Sequence, residues 1–383
     1  MDMKAYIYLD NAATTPLDKR VLEAMLPYLT DVFGNADSPH AVGRKAMNAV
    51  DEARDTVAAL IGARKNEIYF TSGGTESDNF AVLGGARAKR KEDRTKVILS
   101  AIEHHAVLFA GETLAKEGFD VVYLPVDESG RISLERLKTA VDDNTALVGI
   151  MAVNNETGVI QPVKEAAELA HAVGALFFTD AVQAAPHMPI RVKEWNVDLL
   201  SFSAHKFYGA KGVGALYIKN GVKVDKLVGG GEQERGMRGG TLNVANIVAL
   251  ATAYKLAREE MSQTEEKLRK LSDLFLREIS VLSGITPNGE RANALASVLN
   301  LRIEGVENTA LLYKIDLQGV GFAAGSACAS ASVKPSHVLT AMGLTEEQAK
   351  QSVRISFGKN NTEEEVVRAA RQFVQTVETL RQY

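Results

Sequence analysis

Between residues 45 and 220, short apolar runs alternate with amphipathic stretches, and this alternation constrains the fold more than any other feature of the sequence. Five runs read as buried strands, at 96–102, 119–126, 145–153, 174–181 and 197–204. Several of them are apolar throughout, as expected of parallel strands that are covered on both faces. Helical spacing fills stretches between them, such as 133–142 and 162–174. This βαβ alternation predicts an α/β fold with a doubly wound, mostly parallel sheet.

The alternation of apolar runs and amphipathic stretches ends near residue 250. A charged amphipathic pattern over 246–280 predicts one long helix, followed by strands at 295–303 and 352–358 and a final helix over 362–383. A chain of 383 residues also exceeds the size at which a single core usually stops growing. We therefore predict a large domain over 16–250. Residues 1–15 and 251–383 should form a smaller α+β domain that carries the loop of Cys328.

Composition narrows the class of protein. The content of 46% hydrophobic and 24% charged residues is ordinary for a soluble enzyme, and a net charge of -4 gives no reason to expect direct binding to nucleic acid. Cys328 is the only cysteine, which excludes an internal disulfide or a thiolate zinc cluster and suits a reducing compartment. We see no signal-peptide pattern and no membrane-length apolar run, so we expect a cytoplasmic protein without a membrane partner.

Polar residues gather just after the predicted strands, where open α/β sheets bind their ligands. Gly73 and Gly74 precede Thr75 at a turn into a helix. The free N–H groups at such a helix start suit an anion such as phosphate, although a plain turn explains the two glycines equally well. Asp180 follows an apolar run, and burying its carboxylate is costly unless a cation or a strong donor pairs with it.

Lys206 follows the last of these strands, next to His205 and close to Ser203. A desolvated lysine amine has a lowered pKa and becomes a nucleophile and a base, whereas a lone lysine at a strand end is more often a solvated surface residue. The adjacent His104 and His105 do not share one face of a helix or strand, which argues against a two-histidine metal site. One of these rings could instead lie over a flat ligand.

The combination of these groups at one sheet edge favours a single ligand. Pyridoxal 5'-phosphate needs a Schiff-base lysine, an acid partner for its pyridinium nitrogen and a site for its phosphate. A ring-sized histidine beside them completes the set. No metal site or nicotinamide site uses all four parts, so we predict pyridoxal 5'-phosphate as the cofactor and no resident metal ion.

Nine motifs occur in the order found in one known family. They are "LDNAATTP", "TSGGTESDN", "EHHAV", "NNETG", "TDAVQ", "SFSAHKFYG", "GGGEQERGMRGGT", "GSACASAS" and "SVRISFG". With them the chain resembles the IscS/NifS-like cysteine desulfurases, pyridoxal-phosphate enzymes of the class V aminotransferase group, over nearly its whole length. The resemblance implies the aspartate-aminotransferase type of fold (fold type I) and a homodimer with composite active sites.

The resemblance also implies a role for each matching residue. Lys206 would form the Schiff base and later move the Cα proton of the substrate, and Asp180 would pair with the pyridinium nitrogen. His104 would stack on the cofactor ring and is a candidate for proton transfer. Arg354 would bind the substrate carboxylate, and Asn155 would also take part in substrate binding. The other implied cofactor contacts come from Gly74, Thr75, Asn155, Gln183, Ser203, His205 and, from the partner subunit, Thr241.

The activity that the resemblance implies is conversion of L-cysteine to L-alanine, with the sulfur passing to Cys328 as a persulfide. An acceptor protein, such as an iron–sulfur scaffold or a tRNA-thiolation enzyme, would then take the sulfur, and Cys328 could transiently ligate an iron–sulfur cluster during transfer. The small neighbours of Cys328 fit a mobile arm better than a buried core thiol.

Two other functions stay open on the sequence. A selenocysteine lyase, or another class V lyase or transaminase, could use the same fold and cofactor. A catalytically silent dimeric adaptor is the non-enzyme alternative, although a binding module has no need of a Schiff-base lysine.

Overall fold

The computed structural model describes residues 6–325 and 335–382. The strands are β1 (Ile7–Tyr8), β2 (Ile68–Thr71), β3 (Lys96–Ser100), β4 (Asp120–Leu124), β5 (Thr145–Gly149), β6 (Leu176–Asp180), β7 (Leu199–Ser203), β8 (Gly214–Ile218), β9 (Ile285–Pro287), β10 (Val298–Ile303), β11 (Val320–Gly321) and β12 (Ser352–Ser356). The helices are α1 (Lys19–Met25), α2 (Pro27–Thr30), α3 (Ala41–Ile61), α4 (Gly74–Arg90), α5 (His105–Lys116), α6 (Leu134–Ala140), α7 (Val163–Ala172), α8 (Val244–Glu259), α9 (Met261–Ile279), α10 (Asn308–Asp316), α11 (His337–Ala341), α12 (Glu346–Lys350) and α13 (Glu363–Leu380).

A seven-stranded sheet with the order β2-β8-β7-β6-β5-β3-β4 forms the centre of the fold. The five strands from β7 to β4 pair in parallel, and β8 runs antiparallel to both of its neighbours. Every residue of β5, β6, β7 and β8 is buried. Helices α3, α7 and α8 supply the apolar core on one face, and α4 and α5 supply it on the other. The predicted mostly parallel, doubly wound sheet is confirmed.

A second sheet, with the antiparallel order β12-β10-β9, has an apolar core of its own. Helices α9, α10 and α13 pack into that core. Ile7 and Leu9, from the start of the described chain, belong to the same core, and β1 pairs in parallel with β11. The N-terminal segment therefore lies with the last third of the chain, while the exact domain boundaries at 15/16 and 250/251 stay a prediction.

The single long helix predicted over 246–280 is wrong, because the structure has two helices there. α8 ends at Glu259, α9 begins at Met261, and Glu260 lies between them at φ -90° and ψ -2°. The Glu260 carboxylate accepts from Arg20 Nη1 at 2.5 Å and from Lys359 Nζ at 3.2 Å. The two partners of Glu260 are distant in sequence, so the helical periodicity of 246–280 gives no sign of these contacts. None of the helices in the described ranges has the length and apolar composition needed to cross a membrane.

A buried ion pair ties α3 to the glycine-rich segment that precedes Thr241. The Arg54 guanidinium donates to both carboxylate oxygens of Glu234 at 2.7 Å, and the two side chains are 7% and 0% exposed. The backbone N–H of Phe70 donates to the same carboxylate at 3.0 Å. Because both side chains are almost completely buried, each charge depends on the other for compensation.

We predict that Glu234→Ala lowers the free energy of unfolding by about 3 to 5 kcal/mol, because it leaves the Arg54 charge buried without a partner. Urea denaturation measures this free energy. The control Glu232→Ala removes an exposed carboxylate from the same segment and should change it by no more than about 0.5 kcal/mol. A loss below about 1 kcal/mol for Glu234→Ala would show that the pair does not hold this segment.

Candidate active site

Ten of the twelve predicted site residues line one cavity of about 190 Å³ at the carboxyl ends of the central strands. Strand direction brings these residues together. Because β2, β3, β5, β6 and β7 all run in one direction, the residues at and after their carboxyl ends meet at one edge of the sheet. β12 of the second sheet adds an arginine from the other side. The ten are Gly74, Thr75, His104, Asn155, Asp180, Gln183, Ser203, His205, Lys206 and Arg354.

Of the two remaining predicted site residues, one lies away from this cavity and the other is not among the described residues. Thr241 is exposed and does not line it. Thr241 was predicted to act from a partner subunit, and that role stays a prediction. Cys328, with the loop predicted to be mobile, lies outside the described residues.

The start of α4 provides free backbone donors at one end of the cavity. Gly73 is the N-cap residue, and no side chain caps the helix there, so its first N–H groups are available to a ligand. The backbone of β8 passes so close that a Cβ on Gly214 would lie 2.6 Å from the Gly73 carbonyl carbon, which explains the glycine at 214. Ser203 and His205 line the cavity beside this helix start.

Asp180 is the last residue of β6, and its side chain is buried. Its Oδ1 accepts from the backbone N–H of Val182 at 2.8 Å. Burial raises the pKa of Asp180 to about 6, against the opposing effects of the Val182 N–H and the nearby Lys206 charge. A cationic group that entered the cavity and met this carboxylate would therefore stabilise its ionised form.

Lys206 follows β7 in a short 3-10 turn formed by Ala204–Lys206. Its ammonium donates to the backbone oxygens of Ala12 at 2.6 Å and Ala13 at 2.8 Å. The Gln183 amide donates to the same Ala12 oxygen at 2.8 Å. The N-terminal segment thus holds the amine at the cavity wall through two neutral carbonyl groups.

The two histidines of the cavity are neutral at physiological pH. Burial, reinforced by the charge of Lys206, lowers the pKa of both His104 and His205 to about 4. His104 caps α5, and its Nδ1 accepts from the Ala106 N–H at 3.2 Å. The neutral His104 ring therefore carries its proton on Nε2 and presents a flat, uncharged surface.

Arg354 reaches the cavity from β12 and is 1% exposed. Its Nη2 donates to Asp10 Oδ1 at 2.6 Å, and its Nη1 donates to the backbone oxygen of Asn155 at 3.1 Å. Its buried Nε has no hydrogen-bond partner among the residues that the structure describes. An unpartnered donor on a buried guanidinium is unusual, and it fits an anionic group that binds from outside the chain.

Sequence reasoning missed three contributors to this site and a fourth group, which does not line the cavity but contacts a residue that does. Asp10 holds Arg354, and the backbone of Ala12 holds Lys206. Asp78 lines the cavity; its pKa is raised well above the ordinary range by burial and then by Asp180, and Ser201 donates to it. The motifs "LDNAATTP" and "TSGGTESDN" contain three of these residues, but a motif match gives no role to a residue whose partner is distant in sequence.

The fourth is Glu103, a fully buried carboxyl beside His104. Its Oε1 accepts from Ser100 Oγ at 2.5 Å and from the Met151 N–H at 2.7 Å. Its Oε2 has no partner within the described residues. Burial raises the pKa of Glu103 to about 8 despite these two donors, so the group is largely protonated at neutral pH.

No group of three or more His, Cys, Asp or Glu side chains in the described ranges could hold a metal ion. The chemistry available at the cavity is that of an amine, a buried carboxylate, neutral imidazoles, a helix start and an arginine.

Comparison with known proteins identifies relatives with this architecture. The model of the family "Aminotransferase class-V" matches residues 7–368. The cysteine desulfurase IscS of Clostridium botulinum (strain Hall) is 48% identical over 367 residues, covering 95% of this chain and 92% of that protein. A solved NifS-like protein superimposes with a TM-score of 0.92 at 37% identity, covering 98% of this chain and 100% of the other. SspA in complex with cysteine gives a TM-score of 0.83 at 38% identity, with coverage of 93% and 100%.

We predict a pH-dependent gain in stability for Glu103→Gln. The unfolded chain ionises this group near its ordinary value of 4.5, whereas the folded chain keeps the proton until about pH 8. As pH rises through that window, the unfolded chain releases the proton and the folded chain does not, so the free energy of unfolding of wild type falls. Glutamine carries no such proton and removes this loss. Relative to wild type, the variant should gain about 3 to 5 kcal/mol between pH 5 and pH 8.

Urea denaturation of the cofactor-free protein at pH 5, 6.5 and 8 measures this difference. The buried amide nitrogen of the variant adds an offset that does not change with pH, so the slope is the test. The control Glu112→Gln replaces an exposed glutamate on α5 and should show no such gain. A difference between Glu103→Gln and wild type that stayed constant with pH would contradict the prediction.

Proposed function

We propose that this chain, which belongs to the class-V aminotransferase family and to the IscS cysteine desulfurases within it, converts L-cysteine to L-alanine with pyridoxal 5'-phosphate as cofactor. The sulfur would pass to Cys328 as a persulfide and then to an acceptor protein. One observation carries the proposal: Lys206, Asp180 and His104 line a single cavity with the start of α4 and with Arg354.

The residues of the cavity fit the cofactor. Asp180 is a buried carboxylate whose Oδ1 accepts from the backbone N–H of Val182, and a protonated ring nitrogen would supply the opposite charge that it lacks. The uncapped start of α4, with Ser203 and His205, would hold the phosphate. His104, as a neutral flat ring, would lie against the cofactor. When bound, pyridoxal phosphate withdraws electrons from the substrate and makes its Cα proton acidic.

Lys206 would hold the cofactor covalently and, once the substrate amine displaces it, take the proton from the substrate Cα. The carbonyls of Ala12 and Ala13 accept from its nitrogen at the cavity wall, where they would hold the amine while the substrate occupies its place on the cofactor. The Nε of Arg354, buried and without a partner among the described residues, would donate to the α-carboxylate. Asn155 and Gln183 line the cavity and would contact the cofactor or substrate between these groups.

Sulfur transfer would require Cys328 as a thiolate, since the thiolate is the nucleophile. Its sulfur forms an S–S bond to the substrate Sγ as the C–S bond breaks, and the electron pair of that bond remains with the carbon skeleton. Protonation of the skeleton then gives alanine. The sum is L-cysteine and a Cys328 thiol giving L-alanine and a Cys328 persulfide, with no outside oxidant or reductant.

A homodimer would bring Thr241 of each chain to the cavity of the other. An iron–sulfur scaffold or a tRNA-thiolation enzyme would accept the persulfide sulfur, and the reaction would take place in the cytoplasm. The names of the IscS relatives and the cysteine bound to SspA support cysteine as the substrate.

We predict that incubation with L-cysteine adds one sulfur to Cys328 and releases alanine in equal amount at first turnover. Mass spectrometry of the peptide that contains Cys328 measures the sulfur, and amino-acid analysis measures the alanine. Cys328→Ala should abolish the persulfide while still binding the cofactor. Alanine production without any sulfur on Cys328 would contradict the proposed route. Release of selenide from L-selenocysteine by Cys328→Ala, in a parallel incubation, would instead support a selenocysteine lyase.

We predict that borohydride reduction of the enzyme attaches the cofactor permanently to Lys206, because only a Schiff base is reduced to a stable amine. Peptide mass spectrometry locates the modification. Lys206→Ala should show no modified peptide, and the control Lys211→Ala, which removes a nearby exposed lysine, should be labelled like wild type. Labelling at another lysine in wild type would overturn the assignment of Lys206.

A further inference from the structure

Asp10 and Arg354 form an ion pair at the candidate site, with 2.6 Å between Asp10 Oδ1 and Arg354 Nη2. A guanidinium has five N–H donors. Two of its nitrogens are engaged within the chain, Nη2 by Asp10 at 2.6 Å and Nη1 by the Asn155 carbonyl at 3.1 Å. The Asp10 side chain is 20% exposed and the Arg354 side chain is 1% exposed, so the carboxylate lies at the rim and the cation is buried.

Strand pairing fixes this arrangement. Asp10 lies opposite Ser356, two residues after Arg354 on β12, in a parallel bridge. The backbone N–H of Asn11 donates to the Ser356 carbonyl at 3.2 Å, and that of Ala12 donates to Ser356 Oγ at 2.9 Å. Residues two apart on a strand point to the same face, so β12 directs Arg354 to the face where the N-terminal segment lies.

The Asp10 carboxylate also offsets charge. A buried guanidinium without a counter-ion is costly, and one that met only the substrate would bind its carboxylate very tightly. Tight binding of substrate and product alike lowers KM without raising the rate of the chemical step. A second carboxylate on the same guanidinium weakens this binding, because the two anions repel each other across a shared cation.

We propose that Asp10 is the resting counter-ion of Arg354. It holds one edge of the guanidinium in place and weakens the attraction for an α-amino acid carboxylate, so that the carboxylate of the product can leave. The inference rests on the proposed function for the identity of the substrate. Asp10 is a positioning residue in this scheme, since it acts through Arg354 and does not touch the reacting atoms.

The test is the affinity of the holoenzyme for L-alanine, which carries the carboxylate, and for ethylamine, which is alanine without it. Asp10→Asn keeps an oxygen that can accept from Nη2 and removes the negative charge. The dissociation constant of L-alanine, measured by calorimetry, should fall about three- to tenfold in this variant. That of ethylamine should change less than about twofold, because no carboxylate is involved.

Kinetics should change in the same direction. The KM for L-cysteine should fall and kcat should not rise, since both substrate and product carboxylates are held more tightly. A residue that only supported the fold would, when replaced, weaken both ligands together. An unchanged or higher dissociation constant for L-alanine, or an equal shift for both ligands, would overturn the proposal.

Two further variants complete the experiment. Asp10→Ser removes the charge with a smaller neutral side chain and serves if Asp10→Asn does not fold. Asp316→Asn is the matched control, because Asp316 accepts from Tyr6 of the same N-terminal segment at 2.6 Å and makes no contact with Arg354 among those described. It should leave the affinity for L-alanine unchanged.

Failure of this inference and failure of the proposed function are distinguishable. If wild type makes no alanine from cysteine, the proposed function fails. If wild type makes alanine from cysteine but Asp10→Asn binds L-alanine no more tightly than wild type does, the desulfurase activity stands and the proposed role of Asp10 is wrong.

Discussion

The direction of the central strands determines where the chemistry of this protein is concentrated. Because β3, β5, β6 and β7 are parallel, the residues that follow them meet at one buried edge, where Asp180 and Lys206 face the same cavity. Low polarity at that edge then decides protonation states. It raises the carboxyl pKa of Glu103 and Asp180 and lowers the pKa of the imidazoles of His104 and His205. The result is a site with a positive amine, neutral rings and carboxyl groups that respond strongly to any charge introduced beside them.

The N-terminal segment links this edge to the second sheet. Residues 10–13 use two kinds of acceptor for the two cations of the site. Backbone carbonyls hold Lys206, and the Asp10 carboxylate holds Arg354. The difference is physically reasonable, since neutral carbonyls can be exchanged without separating charges when the amine reacts. A carboxylate suits a guanidinium that stays charged throughout.

Much of the fold and of the site could be predicted from the sequence. The five predicted strands are present, and the polar residues that end them are local features of the same apolar runs. The prediction that all five are buried is wrong for β4, because it lies at the edge of the sheet and only its Leu124 is buried. Asp180 and Lys206 could thus be singled out, because each lies at or just beyond the carboxyl end of a strand. The break at Glu260 could not, because helical spacing continues across it and its ion pairs with Arg20 and Lys359 join residues far apart in sequence.

The sequence by itself determined the fold class, the family and the residue types at the strand ends, because periodicity and motif order are properties of neighbouring residues. Only the tertiary structure decided which residues, distant in sequence, pair with the site residues and hold them in place. Asp10 and Arg354 are separated by 344 residues, and their contact exists because β12 and the N-terminal segment pair side by side. Likewise, the sequence around Glu103 does not show that its carboxyl is fully buried. Solvation and long-range pairing depend on the whole fold, and no local pattern carries that information.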